Sequence, residues 1–388
     1  MSLAPPDAAV ARTTLPSHHQ PLWEDRDDVE LVTTVLHGAS PIVWPDEIDL
    51  LAASLAKLDP TDLVIQAGDC VEDLADATPA RTLEKATGLV ALGDIARSVN
   101  HRVLLAGRIG GQYAKPRSAP FETHAGKTFM TFRGPIVPAP KADERRRAGN
   151  VHRIATCWIA SEIVTATLRK TPVPGFAADR IWTSHEALLF DYEAPQIREY
   201  RGRRYLTSTA WPWVGNRTRT VGSPHLALVW ALVNPVSLKV SGGTDAADLV
   251  HIARTLNPRN EAGRLSFIAR FGVDRISELA PLVRAVVDAG IQVRWISDPM
   301  HGNTFTNSQD VKTRLVADIL AEATTFSSIV RAYGVSPGGI HLETTVDDVD
   351  ECVWDRDALI DPHRYTTGCD PRLSLIQAQH VIEKWVAA

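Results

Sequence analysis

Short apolar, β-branched runs recur along this chain of 388 residues, and helical patterns fill most of the gaps between them. About eight runs have the length expected of a buried parallel strand. The pattern predicts strands at 63–67, 102–106, 181–189, 205–214, 236–240, 265–269, 293–296 and 339–342. Strands that alternate with helices are typical of α/β proteins, and eight of them predict a (β/α)8 TIM barrel.

Two segments fall outside this alternation. Residues 1–60 form a lead followed by helices, and helical spacing over 46–58 ends at Asp59-Pro60. We expect this extension to pack on a catalytic barrel domain spanning 61–388. An insertion at about 118–180, between predicted strands 2 and 3, holds a proline-rich loop at 135–140 and a helical pattern over 143–170. Its length indicates a role in covering the site or forming an interface.

Reactive side chains follow the predicted strands, where barrel enzymes place their catalytic groups. The most informative stretch is Asp298-Pro299-Met300-His301-Gly302-Asn303-Thr304, directly behind strand 293–296. Taken alone, such a stretch could be a polar turn. Comparable residues follow the other strands, in chain order Asp69, Cys70, Arg108, Lys115, Arg117, Glu186, Arg217, Lys239, Arg270, His301, Glu343 and Asp370. Their recurrence favours one active site at the mouth of the barrel.

Composition narrows the class of partner. The net charge is −5 and the basic residues are scattered, which argues against a nucleic acid or an anionic membrane as partner. The first 23 residues lack the pattern of a secretory signal, and no apolar stretch approaches the ~20 residues that span a bilayer. The four cysteines form no CxxC pair. We therefore expect a cytoplasmic enzyme that acts on small molecules.

A thiol, an imidazole and two carboxylates among the strand-end residues form a candidate metal site. They belong to Cys70, His301, Glu343 and Asp370, and spacing alone does not select them because they lie far apart in the chain. This mixed set suits Mn²⁺, Co²⁺, Fe²⁺ or Zn²⁺ better than Ca²⁺ or Mg²⁺. For Cys70 by itself, burial as a small hydrophobic residue is the alternative interpretation.

Six cations would converge on the same mouth, namely Arg108, Lys115, Arg117, Arg217, Lys239 and Arg270. Arginine forks bind phosphate and carboxylate oxygens in pairs, so the cluster predicts substrates with several such groups. The sequence has no P-loop, and no GxGxxG follows a strand. The residues together predict a metal-dependent barrel enzyme for phosphorylated metabolites.

Longer motifs resemble one known family. They include Gln66-Ala67-Gly68-Asp69-Cys70, Lys115-Pro116-Arg117-Ser118, Trp182-Thr183-Ser184-His185-Glu186, Gly339-Ile340-His341-Leu342-Glu343 and Cys369-Asp370-Pro371-Arg372. In order over roughly residues 64 to 375, they resemble the class II 3-deoxy-D-arabino-heptulosonate 7-phosphate (DAHP) synthases. The short N-terminal part and residues 208–213 resemble the compact subgroup of phenazine and other secondary-metabolite pathways.

The resemblance implies a reaction and a cofactor. Phosphoenolpyruvate (PEP) would condense with erythrose 4-phosphate to give DAHP and phosphate, the first step of the shikimate pathway. A divalent metal, Mn²⁺ ahead of Co²⁺ or others, would be held by Cys70, His301, Glu343 and Asp370. Barrel enzymes often dimerise, and we expect a homo-oligomer, a dimer, although no motif reports its surface.

The resemblance also assigns roles to the other residues. PEP would be held by Arg108, Lys115, Arg217, Lys239 and Arg270, with Asn216 and Asp298 beside them. Arg117 and Ser118 would bind the phosphate of erythrose 4-phosphate. Glu186 would position or deprotonate the attacking water, and Lys115 or a metal-bound water would supply the proton. Lys115, Glu186 and His301 are therefore the predicted catalytic residues.

Some positions depart from the family pattern. Asn216 stands where the family usually has Glu, Ala210 replaces a usual His, and Ser241-Gly242 stands where Gly-Pro is expected. A carboxamide carries no charge, so a role of that Glu as a charge or base is lost. Two alternatives follow: a diverged PEP-dependent aldolase for another aldehyde, such as an amino-sugar phosphate, and a catalytically silent regulatory paralogue. The four intact metal ligands argue against the second.

Overall fold

A closed barrel of eight parallel strands forms the centre of the computed structural model, which describes residues 19–99, 102–117, 119, 121–124, 126–140, 143–170 and 180–388. The strands are β1 Leu63–Gly68, β2 Val103–Arg108, β3 Ile181–Glu186, β4 Trp211–Val214, β5 Val236–Ser241, β6 Leu265–Arg270, β7 Arg294–Ser297 and β8 Gly339–Glu343. They follow one another round the barrel in chain order, and β1 pairs with β8 to close it. The predicted (β/α)8 fold is confirmed.

Helices cover the outside of the barrel. They are α1 Arg26–Gly38, α2 Pro45–Ala56, α3 Pro79–Arg97, α4 His152–Lys170, α5 Pro224–Trp230, α6 Ala246–Leu256, α7 Leu279–Asp288, α8 Val316–Ala332 and α9 Leu375–Val386, with single turns at Glu144–Arg147 and Phe190–Glu193. Side-chain caps fix several starts: Thr78 accepts from Arg81 N, and Asp245 accepts from Asp248 N. Such caps satisfy backbone amides that have no partner within the helix.

The N-terminal extension closes the lower end of the barrel, where the strands begin. Ile48, Leu51 and Leu55 of α2 pack in one buried cluster with strand residues that point into the barrel, among them Val64, Leu104, Trp182, Trp211 and Ile268. Helix α1 packs against α4 instead, with Val29, Val32 and Leu36 beside Ile154 and Cys157. The described part of the extension thus packs on the barrel, whereas the division into domains at residue 60 stays a prediction.

The run 205–214, predicted as one strand, is two elements. A hairpin of Ile197–Tyr200 with Arg203–Leu206 lies outside the barrel, and β4 begins only at Trp211. Residues 207–209 separate the two because their side chains bond elsewhere: Thr207 Oγ1 donates to Gln196 O, and Ser208 Oγ donates to Glu193 Oε2. Apolar periodicity cannot register such polar contacts between distant residues.

The insertion between β2 and β3 also differs from its prediction. A hairpin of Phe121–His124 with Lys127–Met130 was not anticipated, and the helix predicted over 143–170 is interrupted before α4. Asn150 accounts for the break, since its side chain accepts from His152 N at 3.0 Å and so starts a new helix. Among the described residues, no helix combines the length and apolar character needed to cross a bilayer.

Candidate active site

A cavity of about 400 Å³ opens at the upper end of the barrel, where the strands end. Glu186, Lys239 and Arg270 reach it from β3, β5 and β6, and loop residues complete its wall. The hairpin of the long insertion contributes Phe121 and Glu122, so part of this insertion covers the site. Of the predicted residues, the lining includes Lys115, Arg117, Glu186, Asn216, Arg217, Lys239, Arg270, His301 and Asp370.

The four candidate metal ligands converge at one corner of this cavity. Donor atoms of His301, Glu343 and Asp370 lie within 4.8 Å of one another, as do those of Cys70, Cys369 and Asp370. Asp370 belongs to both groups and therefore joins them. The resulting set combines imidazole, carboxylate and thiol donors, which suits a borderline transition metal.

The contacts within the metal corner show whether its residues would accommodate a cation. Lys115 places its ammonium 2.5 Å from Cys70 Sγ and 3.6 Å from Glu343 Oε1, and it also contacts the Asp370 carboxylate. Glu343 Oε2 is buried without a hydrogen-bond partner, although Arg314 Nη2 forms an ion pair with it at 2.8 Å. A positive charge thus already lies among the donors, and one donor atom has a vacant hydrogen-bonding position. These residues fit a divalent metal.

His301 is oriented by Asp298. The Asp298 carboxylate lies 2.8 Å from His301 Nδ1, whereas Nε2 faces Glu343 Oε1 at 2.9 Å. A proton held on Nδ1 by a carboxylate leaves Nε2 as the ligand atom, the usual arrangement of metal-bound histidines. Asp298 itself is fully buried behind the cavity wall, where it also pairs with Lys239. Its contacts orient neighbouring residues, and its predicted contact with substrate stays a prediction.

Charge compensation sets the protonation of the metal corner. Burial alone would raise the pKa of Glu343, but its contact with His301 and the positive charges of Lys115, Arg314 and Arg108 hold it well below its usual range. Burial likewise opposes ionisation of Asp370, and Lys115 outweighs it, so this pKa is also held well below the ordinary value. Both carboxylates are therefore ionised and ready to bind a cation at neutral pH.

Two residues of this corner were missed by the sequence reasoning. Lys312 and Arg314 lie on a hairpin of Thr304–Thr306 with Lys312–Arg314, inserted after β7. Lys312 contacts the Asp370 carboxylate, and Arg314 pairs with Glu343. Cys369 adjoins Asp370 and offers a second thiol to the corner. The adjacency of Cys369 to Asp370 indicates this position from the sequence, whereas nothing in the apolar pattern pointed to the hairpin.

A second part of the cavity is cationic. Lys239 and Arg270 lie on adjacent strands, and Arg217 approaches from the loop after β4, donating through Nη1 to Pro116 O at 3.2 Å. Arg270 has a buried Nε without a hydrogen-bond partner, and its Nη2 donates to His301 O at 2.7 Å. Burial lowers the pKa of Lys239 to about 8, although Asp298 opposes part of that shift. The charge of these side chains makes this part of the cavity suited to an anion.

Glu186 lies at the end of β3 with its carboxylate against the Cα of Gly215. A Cβ on Gly215 would meet Glu186 Oε1 at 1.9 Å, so only glycine leaves room for this placement. Burial raises the pKa of Glu186 even though Lys239, Arg217 and Lys115 lie near enough to lower it. Its Oε1 is buried and has no hydrogen-bond partner. A carboxylate with a raised pKa in the wall of a cavity is suited to proton transfer.

Arg108 is the buried end of a hydrogen-bond chain across the barrel. Ser184 Oγ donates to Trp211 O, Gln66 Nε2 donates to Ser184 Oγ at 2.6 Å, and Gln66 Oε1 accepts from His341 Nδ1 at 2.7 Å. His341 Nε2 therefore accepts from Arg108 Nη1, at 2.6 Å. The remaining contacts of Arg108 go to Asp69 O, Cys70 O and Glu343. Arg108 thus braces the metal corner from behind the cavity wall.

Of the two residues predicted for the second phosphate, Arg117 lines the cavity and Ser118 lies outside the described residues. Arg117 Nη1 donates to Cys369 Sγ at 3.1 Å, and Nη2 donates to Glu122 Oε2 at 3.4 Å. Its guanidinium is therefore restrained between the metal corner and the hairpin that covers the cavity.

The positions that depart from the family pattern do not all lie at the mouth. Asn216 lines the cavity, and its Oδ1 accepts from Ser241 Oγ at 2.8 Å, so two of the departures contact each other. Ala210 lies at the opposite end, in the buried cluster that α2 forms with the lower strands. Ala210 precedes β4 and does not follow it, so this departure lies away from the mouth.

Comparison with known proteins agrees with this geometry. A family described as "Class-II DAHP synthetase family" matches residues 9–180 and 166–383. A "Probable phospho-2-dehydro-3-deoxyheptonate aldolase" of Pseudomonas fluorescens is 37% identical over 95% of this chain and 94% of its own length. The "Phospho-2-dehydro-3-deoxyheptonate aldolase" of Streptomyces coelicolor is 32% identical over 96% and 95%.

A third relative, "Phospho-2-dehydro-3-deoxyheptonate aldolase AroG" of Mycolicibacterium smegmatis, is 29% identical over 96% of this chain and 92% of the relative. These matches run over nearly the whole length of both partners, and the family match takes in every described residue of the metal corner. The chain belongs to the class II DAHP synthetase family.

Proposed function

We propose that this chain condenses PEP with erythrose 4-phosphate to form DAHP and inorganic phosphate. The observation that carries the proposal is the division of one cavity into a cationic part, with Arg217, Lys239 and Arg270, and a metal corner with His301 and Asp370. The reaction needs both, because an anionic enol must meet an aldehyde that has to be made electrophilic. The names of the relatives point to the same activity.

The cationic part would bind the phosphate and carboxylate of PEP. Arg217, Lys239 and Arg270 line this part of the cavity with three cationic side chains. Arg117 and Lys312 lie in the same cavity and would bind the phosphate of the aldehyde. Two anionic reactants repel in solution, so holding both in a fixed relation removes much of the cost of bringing them together.

A divalent metal, for which we propose Mn²⁺, would be held by Cys70, His301, Glu343 and Asp370. When bound there it would act as a Lewis acid that polarises the aldehyde carbonyl. Asp298 keeps the proton of His301 on Nδ1. Arg108 and Arg314 hold Glu343 from behind, at 3.0 and 2.8 Å.

Two residues would move protons. Glu186 lines the cavity and would orient and deprotonate the water that adds to the former enol carbon. The carboxylates and thiols round Lys115 outweigh its burial and keep its pKa well above the usual range, so its Nζ holds a proton at neutral pH. Lys115 is therefore our candidate for the donor to the aldehyde oxygen as the carbon–carbon bond forms.

The test mixes purified protein with Mn²⁺, PEP and erythrose 4-phosphate, and follows PEP loss, phosphate release and the heptulosonate product. We expect equal amounts of phosphate and DAHP, loss of turnover with a chelator, and recovery when Mn²⁺ is returned. Cys70→Ala should remain inactive after the metal is returned. Binding of PEP without turnover on this aldehyde would overturn erythrose 4-phosphate as the acceptor.

A different acceptor aldehyde is the second candidate function. It is favoured by one observation: Asn216 and Ser241, both departures from the family pattern, form a hydrogen-bonded pair beside the cationic part of the cavity. A panel of aldehydes with and without a phosphate, including amino-sugar phosphates, distinguishes the two. A clearly higher kcat/KM on any of them than on erythrose 4-phosphate would replace the first proposal. No turnover on any aldehyde would indicate the silent paralogue.

We also propose a homodimer in a reducing compartment, the cytoplasm. Exposed apolar side chains occur on the contacting helices α1 and α4, at Leu31, Val35, Ile159 and Ile163, as in surfaces that bind another chain. Cys70 and Cys369 are free thiols, and a thiolate ligand needs to stay reduced. Light scattering on the purified protein checks the oligomeric state.

A further inference from the structure

One buried carboxylate at the upper end of the barrel has no part in the proposed chemistry. Glu322 lies in the middle of α8, is fully buried and does not line the cavity. Its Oε1 accepts from Phe271 N at 2.9 Å and from Gly272 N at 3.0 Å, in the loop after β6. Its Oε2 accepts from Asn303 Nδ2 at 2.6 Å, in the loop after β7. The two loops are thus bonded to one side chain.

Asn303, in the loop after β7, also bonds to the loop after β6. Its Oδ1 accepts from Val273 N at 2.8 Å, and its Nδ2 also donates to Pro299 O at 2.8 Å. The amide orientation is set by these partners, because a carboxylate can only accept and a backbone N–H can only donate. Glu322 and Asn303 therefore form a complementary pair between α8 and both loops, and we call this pair the α8 clamp.

The loops held by the α8 clamp touch backbone to backbone. A Cβ on Gly302 would lie 2.1 Å from Gly272 N, and a Cβ on Gly272 would lie 2.7 Å from Gly302 O. Gly272 also has a φ of +85°, which favours glycine. With no side chain between them, the two loops have little room to shift independently.

These loops carry two functional groups. Arg270 ends β6 and His301 lies in the loop after β7, and Arg270 Nη2 donates to His301 O at 2.7 Å. The α8 clamp holds the residues that follow each of them, Phe271 and Gly272 on one side and Asn303 on the other. A shift of either loop would move the cation away from the imidazole.

We propose that Glu322 is a positioning residue, which together with Asn303 fixes Arg270 relative to His301 and so sets the spacing between bound PEP and the metal. The inference rests on the proposed function, since it assigns Arg270 to PEP and His301 to the metal. Glu322 touches neither ligand and acts only through the two loops.

The protonation state of Glu322 determines the pH at which the variants should be compared. Burial raises its pKa to about 7, although the amides of Phe271 and Gly272 act in the opposite direction. Above that pH the carboxylate, which accepts all three bonds, prevails. Measurements at pH 8 therefore compare the intact clamp with its variants.

The first variant is Glu322→Gln, which keeps the shape of the side chain. Its oxygen can still accept from Phe271 and Gly272, but its amide then faces Asn303 Nδ2, donor against donor. We expect the KM for PEP and the dissociation constant of Mn²⁺, measured by competition with a chelator, each to rise about tenfold, as for other residues that orient metal ligands. The kcat at saturating PEP and Mn²⁺ should fall less than threefold.

The double variant E322Q/N303D supplies the rescue. The carboxylate that replaces the Asn303 amide accepts from the new glutamine amide and from Val273 N. The pair becomes complementary again with the charge exchanged, although the bond to Pro299 O is replaced by a contact between two acceptors. We expect PEP and Mn²⁺ affinities to return to within about threefold of the parent, as restored orientation of a metal ligand predicts. Asn303→Ser opens the clamp from its other side and serves if E322Q does not fold.

Asn234→Asp is the matched control for stability. Asn234 is fully buried at the lower end of the barrel, where it binds both the N–H and the carbonyl of Leu206. The Asn234→Asp variant should have a lower melting temperature than the parent but the same affinities for PEP and Mn²⁺. If E322Q does the same, or if the double variant shows no rescue, the positioning role is wrong.

The two proposals can fail separately. PEP binding and Mn²⁺ binding are measured by calorimetry without erythrose 4-phosphate, so the clamp is tested whether or not DAHP is formed. If the parent protein binds PEP but makes no DAHP, the proposal that erythrose 4-phosphate is the acceptor is wrong. The α8 clamp is then still judged by the measured affinities for PEP and Mn²⁺. Parent protein that binds no PEP overturns the assignment of Arg270, and with it the clamp.

Discussion

The two ends of this barrel differ in the side chains that they bury, which are apolar at the lower end and charged at the upper end. At the lower end, Leu51 of α2 belongs to the same buried apolar cluster as Trp182 and Trp211. At the upper end, buried charges meet one another, as Glu343 does with Arg108 and Arg314. Strand β3 contains both, since Trp182 near its start belongs to the apolar cluster and Glu186 at its end lines the cavity. Stability and chemistry are thus separated along a single strand.

The energetic consequences differ as well. Burial of apolar side chains at the lower end stabilises the fold in proportion to the area removed from water. A buried charge costs desolvation free energy that its partners only offset, so an ion pair at the upper end adds little net stability, and loss of one partner is expensive. The upper end is therefore sensitive to changes that keep size and remove charge, whereas the lower end is sensitive to loss of volume.

The sharpest test removes a metal ligand. His301→Ala should lower kcat/KM by about 10³-fold or more, since loss of the metal's stabilisation of developing charge is worth several kcal/mol. Metal content after dialysis, measured by atomic emission, should fall with it. Full activity with unchanged metal content would show that His301 is no ligand.

A smaller effect is expected for Glu186→Gln, which removes the proposed base and keeps its shape. The kcat should fall about 10²-fold or more, as for other general bases. The group must be ionised to act, and burial raises its pKa, so the parent should lose activity on acidification at a higher pH than an ordinary carboxyl would cause. The pH profile of kcat checks this. If the acid limb persists in the variant, another group produces it.

Deprotonation of Lys239 should give PEP affinity a milder dependence on pH in the alkaline range. Its pKa is lowered to about 8 by burial, so the ammonium loses its proton above that pH and PEP affinity should fall, approaching about tenfold per pH unit. Lys239→Arg keeps its charge and should remove this dependence, although its fork fits the site differently. Calorimetric titration of PEP at several pH values, with the parent and with Lys239→Arg, measures this difference.

The smallest effect on activity should come from the lower end. Leu51→Ala removes a fully buried side chain and should reduce the free energy of unfolding by about 2–5 kcal/mol. Its kcat and its KM for PEP at a temperature where it is folded should match the parent. Urea denaturation gives the first quantity and steady-state kinetics the second. A large change in KM would contradict the separation of the two ends.

The barrel could be predicted because its strands are short apolar runs and because chemistry follows strand ends. That reasoning placed Glu186, His301 and five of the six cations at the cavity, because their positions depend on which strand they end or follow. It missed Lys312 and Arg314, which reach the metal corner on a hairpin whose path depends on tertiary contacts. It also could not anticipate that Arg108 and Asp298 lie behind the cavity wall, since sequence position does not report which neighbours occupy a side chain's donors.

The hydrogen-bond chain that crosses the barrel from Trp211 to Arg108 has a direction. Every proton in it points toward the β4 carbonyl, because a guanidinium can only donate and a carbonyl can only accept. The two ends thus leave no second arrangement for Gln66 and His341 between them, and a flipped amide would put two donors or two acceptors face to face. The interior of the barrel has a built-in polarity, which keeps His341 as a single tautomer.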